Sequence, residues 1–385
     1  MRNLTKALLV VIAVILIGAG CSVGNKGGDT SRDDSIKVGA VLPLTGNMSI
    51  YGQPQKRGIK MAVEEINEKG GINNKEIEIV FEDSRYKSKQ AVSAIKRLVN
   101  VEKIDALLMF GSRTTAASVG VIDNNNIPTI SYSALSAGDR SEHIFRNYWD
   151  IKKQGKVLAK EANERGIKRA SLMLIKEPAC LDNFQPSFKK HFKGKILETV
   201  KHPVSANDVR SQLTKVNSTN SEILVHCSFP VGANTNIKQF HQLGLDKEMD
   251  LYGIEYIEPP VTTNGQEYLQ KVNPLNSRYF ISEDLKKNER MEKFINKYRK
   301  KFPDKKLSVD AVYAYDSVKM LAKSLESCAK KGTATNYKCL EEELHSIKNF
   351  PGVIGKISFD NNGNSEGPTK VVRYKNDGWK LLEVY

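Results

Sequence analysis

The sequence is poor in the residues and motifs on which most enzyme chemistry depends. Its 385 residues include only 6 histidines, 5 cysteines and 2 tryptophans, and no set of cysteines and histidines has the spacing of a zinc site. The motifs H-E-x-x-H, G-x-x-x-x-G-K-[ST] and G-x-G-x-x-G do not occur. We therefore expect that the chain is not an enzyme, and that it has neither a cofactor nor a metal site.

Long apolar runs are also rare, and the one that stands out is at the amino terminus. Arg2 and Lys6 precede apolar residues 7–17, a run shorter than the roughly 20 residues that a membrane span needs. This pattern predicts a secretory signal over residues 1–21. The small residues before Cys21 resemble a bacterial lipobox, whose cysteine receives lipid after cleavage. Gly18 stands where lipoboxes usually have leucine, so ordinary cleavage or an uncleaved anchor stays an alternative.

The polar stretch 22–35 is typical of a flexible tether. We expect an extracytoplasmic protein, anchored by lipid on Cys21 to the cell membrane or held in the periplasm. Four cysteines follow Cys21, which permits two disulfides in an exported chain. Cys328 and Cys339 flank a short loop that a disulfide would close. Cys180 and Cys227 fall near strand ends. The sequence is consistent either with a disulfide between them or with two free buried cysteines.

The chain has an excess of basic residues. The 59 lysines and arginines against 44 acidic residues give a net charge of +15. The lysines are spread singly and in pairs along helical stretches, and no basic block is interleaved with aromatic residues as in nucleic-acid binders. We expect a solvated basic surface and no nucleic-acid partner.

Strand-like and helical patterns alternate along most of the chain and restart after Trp149. Such alternation predicts parallel βαβ units with right-handed crossovers, and its restart predicts two α/β lobes. We expect lobe I to comprise 36–150 plus about 258–335, and lobe II to comprise 151–257 plus about 336–385. A return of the chain to the first lobe would join the two lobes by several crossings.

Several fragments occur together in the order and spacing of a known family. They are "PLTG", "YGQ", "RGIKMAVEEIN", "GGI" and "FEDS" near the start, then "IPTISYSA", "HIFRNY", "FHQLGL" and "YAYDSVKMLAKSL". Together they resemble the solute-binding proteins of branched-chain amino-acid type ABC transporters. The resemblance implies the type I periplasmic binding fold, with two Rossmann-like lobes of parallel sheet flanked by helices and joined by a multi-crossing hinge.

The resemblance also suggests where a ligand binds. Ser112 caps a predicted helix, where free backbone N–H groups favour an anion such as a ligand carboxylate. Glu255 follows a predicted strand and resembles the family's acidic partner for the ligand ammonium. Tyr51 corresponds to an aromatic residue that the family often places against the ligand. Each of these residues also has an ordinary structural interpretation, as a helix cap, a solvated charge or part of the scaffold.

Two segments depart from the family pattern. The loop containing Ser133, Ala134, Leu135 and Ser136 resembles the one that contacts the ammonium, but the family often has threonine where Leu135 stands. The leucine side chain has no hydrogen-bonding group. Either Ser133 or Ser136 therefore takes the role of that threonine, or the ligand is a different one. In the second lobe Cys180 replaces a family tyrosine, and Phe229 supplies apolar surface for an aliphatic side chain or packs in the core.

The resemblance implies capture of an amino acid, branched-chain or otherwise aliphatic, or of a related small molecule, between hinged lobes for delivery to a membrane permease. A sensory protein of the same fold, presenting its ligand to a separate receptor, is the alternative because a fold does not determine the role.

Overall fold

The computed structural model describes residues 35–135, 141–254, 266–278, 289–376 and 378–385. The first strands and helices are β1 Ser35–Leu42, α1 Ser49–Asn67, β2 Glu76–Asp83, α2 Ser88–Arg97, β3 Ala106–Phe110, α3 Ser112–Asp123, β4 Thr129–Tyr132 and β5 Ile144–Arg146. They are followed by α4 Ile151–Glu164, β6 Arg169–Ile175, α5 Gln185–His191, β7 Lys195–His202, α6 Arg210–Asn217, β8 Ile223–Cys227, α7 Pro230–Gln242, β9 Asp250–Ile254, α8 Gln266–Val272 and β10 Leu275–Arg278. The last are α9 Glu289–Lys301, α10 Val309–Lys330, α11 Tyr337–His345, β11 Phe350–Pro351, β12 Lys356–Phe359, β13 Ser365–Glu366, β14 Lys370–Lys375 and β15 Gly378–Val384. None of these described helices combines the length and the apolar character that crossing a bilayer requires.

The first sheet has the strand order β2-β1-β3-β4-β5 among the described residues, and its strands pair in parallel. Its central strand β3 is buried along its whole length, because helices cover both faces of a parallel sheet. Leu108 and Phe110 pack on the side of α1 and α10, and Leu107 and Met109 pack on the side of α2. This alternation places Phe110 on the α1 side, at the carboxyl end of the strand.

The second sheet has the order β15-β14-β10-β9-β8-β6-β7 among the described residues. Strands β6 to β10 are parallel, and β14 and β15 extend the sheet by antiparallel pairing. The sheet is therefore mixed, and the resemblance predicted only its parallel part. The antiparallel end comes from the carboxyl terminus of the chain, where β14 and β15 form a hairpin.

The chain crosses between the sheets later than the sequence suggested. β10 pairs with β9 in the second sheet, although the expected boundary near 258 assigned it to the first lobe. α11 packs against α10, and residue Asn364 bridges to Arg146 beside the first sheet, although both follow the expected boundary near 335. Residues 35–385 form one compact unit, and their division into two lobes stays a prediction.

Two disulfides are present in the described chain. Cys328 and Cys339 are bonded and join the end of α10 to α11. Cys180 and Cys227 are also bonded, which decides between the two states that the sequence left open. Cys227 ends β8 and Cys180 lies shortly after the neighbouring strand β6, so this disulfide holds the carboxyl edge of the second sheet.

Two histidines, His202 and His226, are buried behind that edge, and burial lowers the pKa of both. Asn236 Nδ2 lies 2.6 Å from His226 Nε2 and 3.3 Å from His202 Nε2. Burial, with a smaller contribution from His202, lowers the pKa of His226 to about 3. His226 is therefore neutral in the native state at pH values where the unfolded chain, with a pKa of about 6.5, binds a proton.

We expect the free energy of unfolding to fall by about 2 kcal/mol from this residue alone between pH 6.5 and pH 5, because one pKa unit corresponds to about 1.4 kcal/mol. Urea unfolding at both pH values measures the loss. His226→Gln should be less sensitive to this acidification by a similar amount. An equal pH dependence in the variant and in the unmodified protein would show that His226 is not responsible.

Candidate ligand-binding site

A small cavity lies at the carboxyl ends of the parallel strands, the edge at which α/β sheets place ligands. It is lined by Tyr51, Tyr86, Phe110, Gly111, Ser112, Tyr132, Ala134, Tyr148, Trp149 and Phe229. Nine of these residues belong to the part of the chain that builds the first sheet, and Phe229 follows β8 of the second. The cavity leaves about 10 Å³ for the centre of a water molecule, roughly what one water requires. A larger ligand therefore does not fit in the cavity in its observed form.

The start of α3 forms one end of the cavity. Gly111 has a φ of +102°, and a Cβ there would lie 2.3 Å from the Tyr86 ring, so this turn requires glycine. Ser112 is buried, and Ser133 donates a hydrogen bond of 3.3 Å to its hydroxyl. The first amides of a helix have no acceptor within the helix, and its dipole adds positive potential there. The arrangement suits an anionic group of a ligand.

The loop after β4 closes the same end. Ser133 accepts a hydrogen bond of 3.1 Å from the backbone N–H of Leu135, which makes a tight turn at the strand end. The Leu135 side chain is buried in the hydrophobic core, and Ala134 lines the cavity. The leucine at the family's threonine position therefore contributes packing.

Aromatic rings form the walls. Tyr51 stacks on Phe110 with ring centroids 5.3 Å apart. Phe229 approaches from the second sheet and lies 6.4 Å from the Tyr51 ring and 6.1 Å from the Tyr86 ring. These ring contacts cross from the segment after β8 of the second sheet to the first-sheet side of the cavity.

Two tyrosine hydroxyls are bound to carboxylates. Tyr86 donates a hydrogen bond of 3.3 Å to Glu177, and Tyr148 donates one of 3.0 Å to Asp310. Burial and the neighbouring carboxylates raise the pKa of both phenols well above the ordinary value, so both remain donors. With their protons engaged, the hydroxyls of Tyr86 and Tyr148 can only accept a further hydrogen bond, and both residues add ring surface to the cavity.

An ion pair bridges the two sides next to the cavity. Arg113, one residue into α3, pairs with the fully buried carboxylate of Glu177, which follows β6. Burial raises the pKa of Glu177, and the positive charge of Arg113 opposes that shift. The guanidinium also lies over the Tyr86 ring, 5.7 Å from its centroid. The pair therefore links α3 of the first sheet to the segment after β6 of the second in the observed arrangement.

Trp149 contributes a donor that is not satisfied within the described chain. Its side chain is 7% exposed and lines the cavity, with its ring 3.8 Å from that of Tyr148. Its indole N–H has no hydrogen-bond partner among the described residues. A buried donor without an acceptor is costly, so an acceptor on a ligand would be favoured here.

The structure brings four of the predicted site residues together and separates others. Tyr51, Ser112, Ala134 and Phe229 line the cavity, and Ser133 and Leu135 lie directly behind it. Cys180 is bonded to Cys227 and is not among the lining residues. Ser136, Glu255 and the lipidation residue Cys21 lie outside the described residues.

Sequence reasoning did not single out several lining residues. Tyr86, Phe110, Tyr132, Tyr148 and Trp149 all end or follow a parallel strand of the first sheet. A search for aromatic residues at predicted strand ends would have found them. The Arg113–Glu177 pair had no such signal, because its partners lie on different sheets.

The sequence matches a known family and its relatives. A profile of the family described as periplasmic binding protein matches residues 35–379. Leu/Ile/Val-binding protein homolog 3 of Brucella melitensis is 24% identical, with 89% of this chain and 92% of the relative covered. Homolog 7 of the same organism is 21% identical, with 91% of each chain covered.

Solved structures with different ligands share the fold. The branched-chain amino acid binding protein LivJ of Streptococcus pneumoniae, in complex with isoleucine, has a TM-score of 0.76 at 24% identity, covering 91% of this chain and 98% of that one. A solute-binding protein of R. palustris, in complex with benzoate, has a TM-score of 0.78 at 19% identity, covering 91% and 96%. These likenesses confirm the predicted fold, that of type I periplasmic binding proteins, and leave the ligand open.

Proposed function

The chain belongs to the periplasmic binding protein family, and from that premise we propose that it is the extracytoplasmic solute-binding component of an ABC importer. It captures an amino acid, branched-chain or otherwise aliphatic, or a related small molecule between two hinged lobes. It then delivers the ligand to a membrane permease. Lipid on Cys21 would hold the mature chain at the membrane.

The observation that carries this proposal is a cavity with walls from both sheets. Phe229 meets Tyr51 and Tyr86 across it, and the Arg113–Glu177 pair bridges the same two sides. Contacts of this kind exist only when the sides are together. A ligand that touches both sides therefore binds the closed form better, and the difference in affinity drives closure.

A ligand screen on the mature protein, residues 22–385, tests the binding role. A ligand at about 100 times its dissociation constant should stabilise the native state by roughly 2.7 kcal/mol and raise the melting temperature. The panel comprises amino acids, amides, organic acids and aromatic compounds. If no small molecule in the panel raises the melting temperature or gives heat on titration, the solute-binding role is wrong.

Replacing Glu255 distinguishes an amino-acid ligand from ligands that have no ammonium group. If the ligand carries an ammonium that Glu255 binds, Glu255→Ala should weaken its binding by about 2 kcal/mol, since truncating one partner of a buried charge pair costs at least that much. Titration calorimetry on variant and unmodified protein measures the loss. The expected loss of binding free energy is about 2 kcal/mol or more. A loss below about 0.5 kcal/mol for an amino-acid ligand would contradict this placement of the ammonium.

A further inference from the structure

Residues 289–306 carry a concentration of positive charge at the surface. They comprise α9 and the turn that follows it, and their 8 basic and 3 acidic residues contribute +5 to the chain's net charge of +15. Met291, Phe294 and Tyr298 form the buried face of α9. The basic residues are all exposed, and together we call them the α9 surface: Arg290, Lys293, Lys297, Arg299, Lys300, Lys301, Lys305 and Lys306.

Part of this charge is not compensated by ion pairs. Arg299, Lys300 and Lys305 form no ion pair with any residue that the structure describes. The Tyr298 hydroxyl donates a hydrogen bond of 3.3 Å to the backbone oxygen of Lys306, so the basic turn is held against the helix. Like charges that are fixed close together repel one another, and an anionic partner relieves that repulsion.

The α9 surface and the cavity lie at opposite ends of α1. Lys297 pairs with Glu65 at 2.8 Å, and Lys301 pairs with Glu64. Both acidic residues belong to the last turn of α1, whereas Tyr51 in its first turn lines the cavity. The helix between Tyr51 and Glu65 is about 20 Å long. A flat partner at the α9 surface is therefore separated from the cavity by about this distance.

The chain enters the fold at the same end of α1. The side-chain oxygen of Asn67, the last residue of α1, accepts a hydrogen bond of 2.9 Å from the backbone N–H of Ile77. This part of β2 pairs in parallel with the first residues of β1. Residues 22–34 separate β1 from Cys21, and an extended chain of that length spans at most about 50 Å. A lipid on Cys21, as proposed above, would therefore keep this end of the first sheet near the membrane.

We propose that the α9 surface binds the anionic lipid surface of the membrane. Exposed lysines and arginines are attracted to anionic headgroups without a shaped pocket, over about a Debye length. A single lipid chain gives only marginal and reversible anchoring, and a basic patch is a second signal that makes it stable. The contact keeps the cavity end of the first sheet away from the bilayer. This inference goes beyond the proposed solute-binding function and does not depend on it.

Flotation of the mature protein, residues 22–385, with lipid vesicles tests the inference without the lipid on Cys21. The unmodified protein should bind phosphatidylcholine vesicles that contain phosphatidylglycerol, and not vesicles of phosphatidylcholine alone. Added salt should release it, because salt screens the attraction. Joint replacement Arg299→Glu, Lys300→Glu and Lys305→Glu should weaken the binding at least tenfold, since each basic residue near the lipid contributes to the attraction.

Lys189, Lys190 and Lys193 provide the matched control, because they are exposed residues at the carboxyl end of another helix, α5. Their joint replacement by glutamate changes the net charge by the same amount and should weaken the binding by no more than about threefold, since charges beyond a Debye length from the lipid are screened. Glutamine at the three positions of the α9 surface removes the charge without placing acids at the helix end, and should weaken the binding to an intermediate degree. Melting temperatures verify that each variant is folded.

Failure of the unmodified protein to bind the anionic vesicles would overturn the inference. Equal losses in the two glutamate variants would attribute the binding to net charge alone and would also overturn it. A DNA duplex that bound more tightly than the vesicles, through the same three residues, would assign the surface to a nucleic acid instead. None of these outcomes affects the solute-binding role, which the separate ligand screen tests.

Discussion

Joint replacement of Cys180 and Cys227 by alanine is expected to lower the free energy of unfolding by about 4 kcal/mol. The two cysteines are 47 residues apart in sequence, and in the chain-entropy model a loop of that length gives a stabilisation of about this size. Both side chains are buried. Urea unfolding of the mature double variant, compared with the unmodified protein, measures the loss.

The same replacement should weaken ligand binding, because the disulfide holds the strand ends from which Glu177 and Phe229 extend. The control is the double variant of Cys328 and Cys339, whose disulfide closes a separation of 11 residues. It should lose about 3 kcal/mol of stability and retain the ligand affinity of the unmodified protein. Equal ligand affinities in the two double variants would mean that the first disulfide does not organise the cavity.

Gly58→Ala is expected to lower the free energy of unfolding by about 3 kcal/mol. Gly58 lies in α1 where the helix crosses α10, and a Cβ there would be 2.0 Å from the backbone oxygen of Ala311. Backbone atoms cannot rotate away as a side chain does, so the two helices must move apart. Asp310, which holds the Tyr148 hydroxyl, is next to the contact, and the ligand affinity should fall too.

Gly120 provides the matched control, since it is also a helical glycine but a Cβ added there would have no atom of another element within 4 Å. Gly120→Ala should therefore raise the free energy of unfolding by roughly 0.5 to 1 kcal/mol, because alanine loses less backbone entropy on folding. Urea titrations of both variants test the difference in sign. A loss of stability in both, or in neither, would contradict the packing of α1 on α10.

Some residues of the candidate site could be predicted because the local sequence around them indicates a function. Ser112 was predicted to cap the helix after a buried strand, but Gly111 is the cap residue and Ser112 is the first residue of α3. Tyr51 lies in the most specific family fragment, and both Ser112 and Tyr51 line the cavity. Trp149 and Tyr86 were not singled out, because each comes from a short connection with no motif of its own. Cys180 was predicted to lie at the site; it is bonded to Cys227 and is not among the residues that line this cavity, and its contact with a ligand stays a prediction.

The Arg113–Glu177 pair illustrates a second limit. Arg113 is 42% exposed at its side chain and Glu177 is fully buried, and in isolation neither residue differs from ordinary arginines and glutamates in the sequence. Their pairing depends on the approach of two sheets. The sequence pattern within either segment contains no information on the distance between the two sheets.

Local patterns along the chain specify the alternation of strands and helices, the family fragments and the expectation of an export signal. These depend on neighbours a few residues apart, which set burial periodicity, turns and caps. Three features became visible in the folded chain alone: β10 joins the second sheet, Cys180 bonds Cys227, and Phe229 faces Tyr51 and Tyr86. Each of these is a contact between residues distant in the chain, and its geometry follows from how complete sheets and helices pack together.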